Sequence, residues 1–207
     1  MNTSVLRADS TESLQHALKI LRVGGLVAFP TDTVYGVGAL AFDGKAVESI
    51  YIAKDRPMEK ASPVLLGEAG DLDQVAAHIP AMARQLAARF WPGPLTLIVP
   101  KKPNLPEAIS ATDTVGVRVP DHRLARMLLQ AAGPMAVTSA NLSGRLSPST
   151  AEEVLAQLDG RIPLILDGGR TPGGVPSTVV DCTGQQPLIV RTGTITLENI
   201  LDALADP

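Results

Sequence analysis

The sequence predicts a mixed α/β fold, in which a twisted mixed β-sheet is covered by helices on both sides. Short apolar runs bounded by proline and glycine, which are typical of buried strands, recur along the whole chain. Amphipathic segments with capping residues separate some of these runs, whereas short turns such as Thr183-Gly184 separate others. Parallel strands need long crossover connections and antiparallel strands need only a turn, so both kinds of pairing are expected in one sheet.

Capping residues and apolar runs give the order of the predicted elements. Six helices are predicted. The first runs from a capping box of Asp9 and Glu12 to Gly24-Gly25, the second runs from a cap at Asp43 to a stop before Pro57, and the third covers residues 72–90. The fourth lies around Leu124, Leu128 and Ala131, the fifth runs from a capping box of Ser149 and Glu152 to Leu158, and the sixth covers residues 197–204 after a cap at Thr196. Seven to nine strands are predicted, at residues 26–29, 37–41, 63–66, 95–99, 115–119, 135–138, 163–166, 178–181 and 188–191. There is no repeat and no long linker, so residues 1–207 are expected to form a single domain.

The composition limits the classes of protein that the chain can represent. Apolar residues make up 45% of the 207 residues and charged residues 19%, which is enough apolar side chain for a folded core. The single cysteine, Cys182, excludes an intrachain disulfide and is interpreted as a small buried hydrophobe. His16, His78 and His122 are scattered without ligand spacing, so no metal site is predicted. No signal segment and no bilayer-long apolar run occur, and the chain is expected to be cytoplasmic.

The most distinctive segment is residues 30–36, Pro-Thr-Asp-Thr-Val-Tyr-Gly. The apolar run at 26–29 ends there in a proline that is followed by hydrogen-bonding side chains. This pattern favours a ligand site, because open α/β sheets bind ligands in the crevice beyond the strand ends. Residues 36–41 also fit the dinucleotide pattern G-x-G-x-x-A, but they are predicted to form a strand rather than to open a helix, so that interpretation is rejected.

Basic residues follow the second predicted helix. Lys54, Arg56 and Lys60 lie within seven residues of one another, and three cations so close together can clamp a polyphosphate. Basic residues also stabilise the C-terminal end of a helix, and this alternative stays open.

Two later loops have the composition of ligand-binding segments. Residues 138–144, extended to Ser149, offer hydroxyl, amide and backbone N–H groups that suit an anion or a nucleotide. Residues 168–174 are rich in glycine, which suits a mobile lid or a close approach of the backbone to a ligand. The alternative for residues 138–144 is a helix-capping loop, and the alternative for residues 168–174 is a plain surface loop.

Arg118 and Arg191 both lie within apolar strands. Strand alternation allows either side chain to face solvent. If they face inward, each needs an anionic partner, because an unpaired buried charge is costly. A carboxylate or phosphate group of a substrate could be that anionic partner.

Six short motifs occur together over residues 10–200. They are Pro30-Thr31-Asp32-Thr33-Val34-Tyr35-Gly36, Lys54-x-Arg56-Pro57, Val117-Arg118-Val119-Pro120, Ser139-Ala140-Asn141-Leu142-Ser143-Gly144, Pro176-Ser177-Thr178-Val179-Val180-Asp181 and Val190-Arg191-x-Gly193. In this order they resemble the YrdC family, the threonylcarbamoyl-AMP synthases. Each motif alone is weak evidence for the family, but six motifs in the same order along the chain are specific evidence for it.

The resemblance implies a three-layer YrdC-like fold with a deep positive cleft, in the short family form that lacks an additional C-terminal domain. It implies condensation of L-threonine, bicarbonate and ATP to threonylcarbamoyl-AMP with release of pyrophosphate, with Mg²⁺ bound to the ATP and no organic cofactor. Downstream threonylcarbamoyl-transferase proteins would pass the group to tRNA, with a transient tRNA contact and no role for a membrane.

The resemblance also implies roles for individual residues. The catalytic residues would be Lys54 and Arg56. The ATP-binding residues would be Arg56, Lys60, Thr114, Ser139, Asn141, Ser147 and Arg191, and the threonine-binding residues would be Thr33, Arg118, Val137 and Ser177. Gly67 departs from the family pattern, because many relatives carry a histidine at the end of the preceding strand. Asp32 has no role in this scheme.

Two other functions stay open. A YrdC-fold paralogue could act on another carbamoyl acceptor, and an RNA- or ribosome-binding protein could use the same cleft. The net charge of −3 and the small aromatic content, three Phe, two Tyr and one Trp, argue against RNA as the main ligand.

Overall fold

The computed structural model describes residues 2–8, 10–172 and 174–205. Within these residues it contains ten strands, seven α-helices and a short 3₁₀ turn at Ala69–Asp71. The strands are β1 (Ser4–Arg7), β2 (Val27–Pro30), β3 (Tyr35–Leu40), β4 (Val64–Leu65), β5 (Leu95–Pro100), β6 (Thr114–Arg118), β7 (Met135–Ser139), β8 (Leu164–Asp167), β9 (Thr178–Asp181) and β10 (Leu188–Arg191). The helices are α1 (Thr11–Arg22), α2 (Gly44–Lys54), α3 (Leu72–Val75), α4 (Ala81–Phe90), α5 (Arg123–Ala132), α6 (Ala151–Leu158) and α7 (Leu197–Ala205).

The described strands form one mixed sheet, in the order β1-β8-β2-β3-β7-β4-β6-β5-β9-β10. Strand β8 runs parallel to both β1 and β2, and the pairs β4–β6 and β5–β9 are also parallel. The other pairs are antiparallel. The mixed sheet that the sequence predicts is confirmed.

Helices cover both faces of this sheet, as predicted. Successive side chains of a strand point to opposite faces, so β2 directs Val27 and Phe29 to one core and Ala28 to the other. Helices α1 and α5 pack into the first core, and α2, α4, α6 and α7 pack into the second. The three layers place the ends of the central strands beside the loops that carry the polar motifs.

Two predicted elements differ from the structure. The helical pattern over residues 72–90 forms two helices, α3 and α4, because Ile79 precedes Pro80 and that position disfavours helical backbone. Strand β1 was not predicted at all. It is a partly exposed strand beside β8, so Ser4–Arg7 lacks the continuous apolar run of a buried strand.

The N-caps of the first two helices can be compared with the capping residues predicted from local sequence. Asp43 caps α2 as predicted, because its carboxylate accepts the N–H of Ala46 at 3.1 Å. The cap predicted at Asp9 lies outside the described residues. In the structure, the hydroxyl of Ser10 accepts the N–H of Ser13 and caps α1.

The capping box predicted at Ser149 and Glu152 is wrong by one residue. Thr150 is the N-cap of α6, and its hydroxyl accepts the N–H of Glu153 at 3.3 Å. The Glu153 carboxylate accepts the N–H of Ser149 in return, at 2.6 Å. The box therefore spans Ser149, Thr150 and Glu153.

We expect Thr150→Ala to lower the free energy of unfolding by about 1 kcal/mol, because it removes the acceptor for an otherwise unpaired helix N–H. Urea denaturation measures this change. Ser149→Ala is the matched control, since only the backbone of Ser149 takes part in the box, and it should cost less than about 0.5 kcal/mol. Equal losses in the two variants would contradict the assignment of Thr150 as the cap.

Cys182 is fully buried in the core on the α2 side of the sheet. Burial, and then the nearby Asp181, raise the pKa of its thiol to about 12. The thiol is therefore protonated at neutral pH, and the interpretation as a small buried hydrophobe is confirmed. In the part of the chain that is described, no helix has the length and apolar character needed to cross a bilayer.

Candidate functional site

Polar loops from distant parts of the chain meet around one cavity of about 200 Å³ at the edge of the central strands. Three guanidinium groups reach it, those of Arg56, Arg118 and Arg191, and its described lining contains no carboxylate. Hydroxyl groups and apolar side chains form the rest of the lining: Thr31, Thr33, Val34, Gly36, Ala61, Pro63, Leu65, Thr96, Val137, Thr138, Ser139, Ser147, Pro176 and Ser177.

Arg118 reaches the cavity from the end of β6 and is 5% exposed. Its Nε donates to the carbonyl of Gly93 at 2.9 Å, and Nη1 donates to the hydroxyl of Thr33 at 3.1 Å. Its Nη2 donates to Oδ1 of Asp32 at 2.5 Å and forms an ion pair with it. The inward-facing alternative is thus the correct one, and the anionic partner belongs to the chain itself. Burial lowers the pKa of Arg118, and Asp32 opposes this effect.

The turn between β2 and β3 presents Thr33 to Arg118. The hydroxyl of Thr31 donates to the carbonyl of Val34 at 2.7 Å and accepts the N–H of Thr33 at 3.2 Å, so one side chain closes the turn. Gly36 follows directly, and a Cβ atom there would lie 2.6 Å from a methyl group of Val137. The glycine allows β3 and β7 to approach closely and brings the backbone of Val137 to the cavity.

Arg191 extends from β10 to the segment just before β9. Its Nε and Nη2 donate to the carbonyl of Ser177 at 3.0 and 2.9 Å, and Nη2 also donates to the Ser177 hydroxyl at 2.9 Å. That hydroxyl bonds in turn to the Thr96 hydroxyl at 2.8 Å. The charge of Arg191 has no carboxylate partner among the described residues, although its guanidinium is held firmly.

Arg56 lies just beyond the C-terminal end of α2. Its Nη2 donates to the carbonyls of Lys60 and Ala61 at 3.3 and 3.1 Å, and its buried Nε has no hydrogen-bond partner in the described chain. The guanidinium lies 5.9 Å from the centre of the Tyr51 ring, a cation–π contact. Burial lowers the pKa of Arg56. Like Arg191, Arg56 brings an uncompensated positive charge to the cavity.

Lys54 lies beneath the loop that follows β7. Its Nζ donates to the carbonyls of Ser139 and Asn141, and its own carbonyl accepts the N–H of Ser143 at 2.8 Å. Burial, and then repulsion from Arg56, lower the pKa of Lys54 to about 7. Lys54 is 1% exposed and does not line the cavity, so it acts on the site by fixing this loop.

A domain-family model for Sua5, YciO and YrdC proteins, described as "Telomere recombination", matches residues 19–193. The chain belongs to the Sua5/YciO/YrdC family. The resemblance to YrdC proteins that the six motifs carry is confirmed by this match.

Named relatives of this Sua5/YciO/YrdC chain share much of its sequence. It is 46% identical over 190 residues to the threonylcarbamoyl-AMP synthase of Bacillus subtilis, covering 90% of this chain and 55% of that protein. It is 40% identical over 189 residues to a putative threonylcarbamoyl-AMP synthase of Mycobacterium tuberculosis, covering 91% of this chain and 87% of that protein. The chain thus spans about half the length of the B. subtilis relative and most of the M. tuberculosis one.

Solved structures of the family have the same fold. Sua5 of P. abyssi, complexed with L-threonine, superimposes with a TM-score of 0.92 at 41% identity, covering 99% of this chain and 61% of that chain. YciO of E. coli superimposes with a TM-score of 0.86 at 28% identity, covering 96% of this chain and 99% of that chain.

The structure of this family member gathers most of the predicted site residues around the cavity: Thr33, Arg56, Arg118, Val137, Ser139, Ser147, Ser177 and Arg191. Lys54, Lys60, Thr114 and Asn141 do not line it. The side chain of Lys60 is exposed, and the Thr114 hydroxyl bonds to that of Thr112 at 3.0 Å. The amide nitrogen of Asn141 donates to the carbonyls of Leu142 and Arg145, at 2.8 and 2.9 Å, and closes the loop beside the cavity.

Several lining residues were missed by sequence reasoning. Leu65, rather than Gly67, is the residue of the β4 segment that lines the cavity, whereas the Gly67 carbonyl accepts a hydrogen bond from Arg126 at 3.2 Å. Thr96 lies between two core leucines of β5 and faces the cavity. A polar residue between apolar ones in a buried strand was the signal that could have identified Thr96.

The start of the glycine-rich loop is held by Tyr35 of β3. The Tyr35 hydroxyl donates to the carbonyl of Gly169 at 2.7 Å and accepts the N–H of Gly168 at 3.2 Å. Burial raises the pKa of Tyr35 to about 12, so the hydroxyl keeps its proton at neutral pH. Gly173 lies outside the described residues, and the mobile lid over residues 168–174 stays a prediction.

Proposed function

We propose that this protein is an L-threonylcarbamoyladenylate synthase, which condenses L-threonine, bicarbonate and ATP to threonylcarbamoyl-AMP and pyrophosphate. One observation carries the proposal: a single cavity places Arg118 beside the hydroxyl of Thr33 and also receives two guanidinium groups that have no carboxylate partner in the described chain. The names of the relatives and the L-threonine complex of P. abyssi Sua5 support it.

The Arg118 side of the cavity suits the amino acid. A guanidinium carries five N–H groups, and three of those of Arg118 are used within the protein. One N–H remains on each terminal nitrogen, and this pair can bind the threonine carboxylate. The hydroxyls of Thr33 and Ser177 and the backbone near Val137 would hold the rest of the molecule.

Other groups of the lining suit the nucleotide. Arg56 and Arg191 supply positive charge, and the hydroxyls of Ser139 and Ser147 supply hydrogen bonds. Bicarbonate and the threonine amine give a carbamate with loss of water. A carbamate oxygen then bonds to the α-phosphorus of ATP as the bond from that phosphorus to the bridging oxygen of pyrophosphate breaks.

Negative charge moves onto the pyrophosphate during this step, and the guanidinium groups stabilise it. The chain's own contribution is therefore positioning and electrostatics, with direct attack and no covalent enzyme intermediate. The described lining has hydroxyl and guanidinium groups but no carboxylate, so it does not build a magnesium site of its own. We propose that magnesium arrives on the phosphates of ATP, as part of the substrate.

We further propose that the product passes in the cytoplasm to threonylcarbamoyl-transferase proteins that modify tRNA, with a transient tRNA contact at most. This part of the proposal rests on the chemistry of the product, a mixed anhydride that must be consumed by an acyl-transfer reaction.

Pyrophosphate release, measured with threonine, bicarbonate and ATP each omitted in turn, tests the proposed reaction. We expect release only when all three substrates are present, because the α-phosphorus has no nucleophile until the carbamate forms. Release that continues without threonine would overturn the proposed reaction.

A further inference from the structure

We propose that Thr96 is a positioning residue of the cavity and that it acts through Ser177. The Thr96 hydroxyl donates to the Ser177 hydroxyl, so that the proton of Ser177 points into the cavity and donates to an oxygen atom of the amino acid. The hydrogen-bond chain that links these two residues to Arg191 rests on the geometry, whereas the amino acid as its ligand rests on the proposed function.

Thr96 is a buried polar residue with a single hydrogen-bond partner. It lies between Leu95 and Leu97, which are fully buried in the core, and it is itself only 3% exposed. Burial of a hydroxyl is costly unless it is hydrogen-bonded. The Ser177 hydroxyl, at 2.8 Å, is the only partner of the Thr96 hydroxyl in the described chain. Valine would fill the same space, so packing alone does not explain a threonine at this position.

The methyl group of Thr96 fixes the direction of its hydroxyl. A Cβ atom added at Gly116 would lie 3.2 Å from this methyl group, so the methyl group lies close against β6. In a β-branched side chain, the position of one branch determines the position of the other. The hydroxyl is therefore directed at Ser177 on the cavity side of the sheet.

Arg191 limits how the two hydroxyl groups can share their protons. A guanidinium can only donate hydrogen bonds, so Nη2 of Arg191, at 2.9 Å, occupies one lone pair of the Ser177 hydroxyl oxygen. The bond between Ser177 and Thr96 uses one of the two hydroxyl protons. The other proton has no acceptor in the described chain. Because both residues line the cavity, this proton is available to a ligand.

The charge of Arg191 favours the arrangement in which Ser177 keeps the available proton. The guanidinium has no carboxylate partner among the described residues, so it attracts a negatively charged or carbonyl oxygen of a ligand to the region around Ser177. A hydroxyl that accepts from both Arg191 and Thr96 is polarised by both, which makes it a stronger donor to that oxygen. Thr96 then donates to Ser177 and has no contact with the substrate.

The KM values for threonine and for ATP in the pyrophosphate-release assay test this role. We expect Thr96→Val to raise the KM for threonine about tenfold, because Ser177 loses the hydrogen bond that orients its hydroxyl. The KM for ATP should change by less than about twofold, since two nitrogens of Arg191 stay bonded to the Ser177 carbonyl. Thr96→Ser keeps the hydroxyl and should restore most of the threonine affinity.

A double-mutant cycle distinguishes an effect through Ser177 from a general effect on the sheet. In the Ser177→Ala background, Thr96→Val should not raise the KM for threonine further, because the group that Thr96 orients is absent. A further rise of the same size would overturn the proposal, and so would an unchanged KM for threonine in Thr96→Val alone. Thr3→Val is the matched control. It removes a hydroxyl that bonds to the Ile162 carbonyl outside the cavity, and both KM values should stay unchanged.

Urea denaturation of the wild type, both single variants and the double variant tests the hydrogen-bond chain without turnover. Thr96→Val should lower the urea midpoint when Ser177 is present but not in the Ser177→Ala background, where the Thr96 hydroxyl has already lost its partner. Equal shifts in the two backgrounds would overturn the hydrogen-bond chain, whatever the reaction is. Unequal shifts in a protein whose pyrophosphate release does not need threonine would remove the proposed function and the amino acid as the ligand, and would leave the hydrogen-bond chain standing.

Discussion

Arg118→Met should abolish threonine-dependent pyrophosphate release and should also destabilise the fold. The substitution removes the only cation paired with Asp32 among the described residues and leaves a carboxylate buried without a counterion. Breaking a buried ion pair from one side costs about 3–5 kcal/mol. Loss of the charged hydrogen bonds that we propose to the amino acid should raise the KM for threonine about 100-fold or more.

The two effects of Arg118→Met can be separated with a second substitution. In Asp32→Asn/Arg118→Met the uncompensated carboxylate is absent, so urea denaturation should show that most of the lost stability returns. Threonine-dependent activity should stay lost.

Recovery of activity in the double variant would contradict the role of Arg118 in binding threonine. Failure to recover stability would contradict the ion pair as the cause of the loss. Thr150→Ala serves as a reference for a moderately destabilised chain with an intact cavity, and it should retain full activity at temperatures where it is folded.

Local patterns predicted the elements of the fold well, because the residues that decide them are close together in sequence. Asp43 caps α2 through the N–H of Ala46, three residues away. The wrong capping prediction at α6 also arises from residues that are adjacent in sequence. Ser149 and Thr150 are both good capping residues, and their side chains give no local reason to prefer one over the other.

The site residues could be listed from the sequence, but their surroundings could not. Arg118 shares a strand face with the half-buried Thr114 and Gly116, whereas Val115 and Val117 face the core, so alternation alone favours the solvent-facing alternative that the structure contradicts. Its partner Asp32 is 86 residues away. The pattern around Lys54 is that of a cation in the last turn of a helix, whereas its real acceptors, Ser139 and Asn141, lie on a loop more than 80 residues later.

Lys54→Met should lower the proposed synthase activity through the loop after β7 and should change how stability depends on pH. Methionine has a similar length and fills the space, but it cannot donate to the carbonyls of Ser139 and Asn141. Ser139 lines the cavity, so we expect its displacement to lower kcat/KM about 100-fold. Circular dichroism should show that the variant remains folded.

The pH dependence follows from the pKa of Lys54, which folding lowers from 10.5 to about 7. Between these values the unfolded chain holds a proton on Lys54 that the folded chain has released. The free energy of unfolding of the wild type should therefore rise with pH, relative to Lys54→Met, by about 1.4 kcal/mol per pH unit. Below pH 7 both states are protonated, and the burial cost of the ammonium is present in full.

Urea denaturation of the wild type and Lys54→Met at a series of pH values between about 7 and 9 measures this difference, which should grow by about 2 kcal/mol over that range. Other titrating groups are common to both proteins and cancel in the comparison. Lys45→Met, on the exposed face of the same helix, is the control and should show a constant difference. A constant difference for Lys54→Met as well would mean that Lys54 keeps its proton throughout, and that it holds the loop as an ammonium ion.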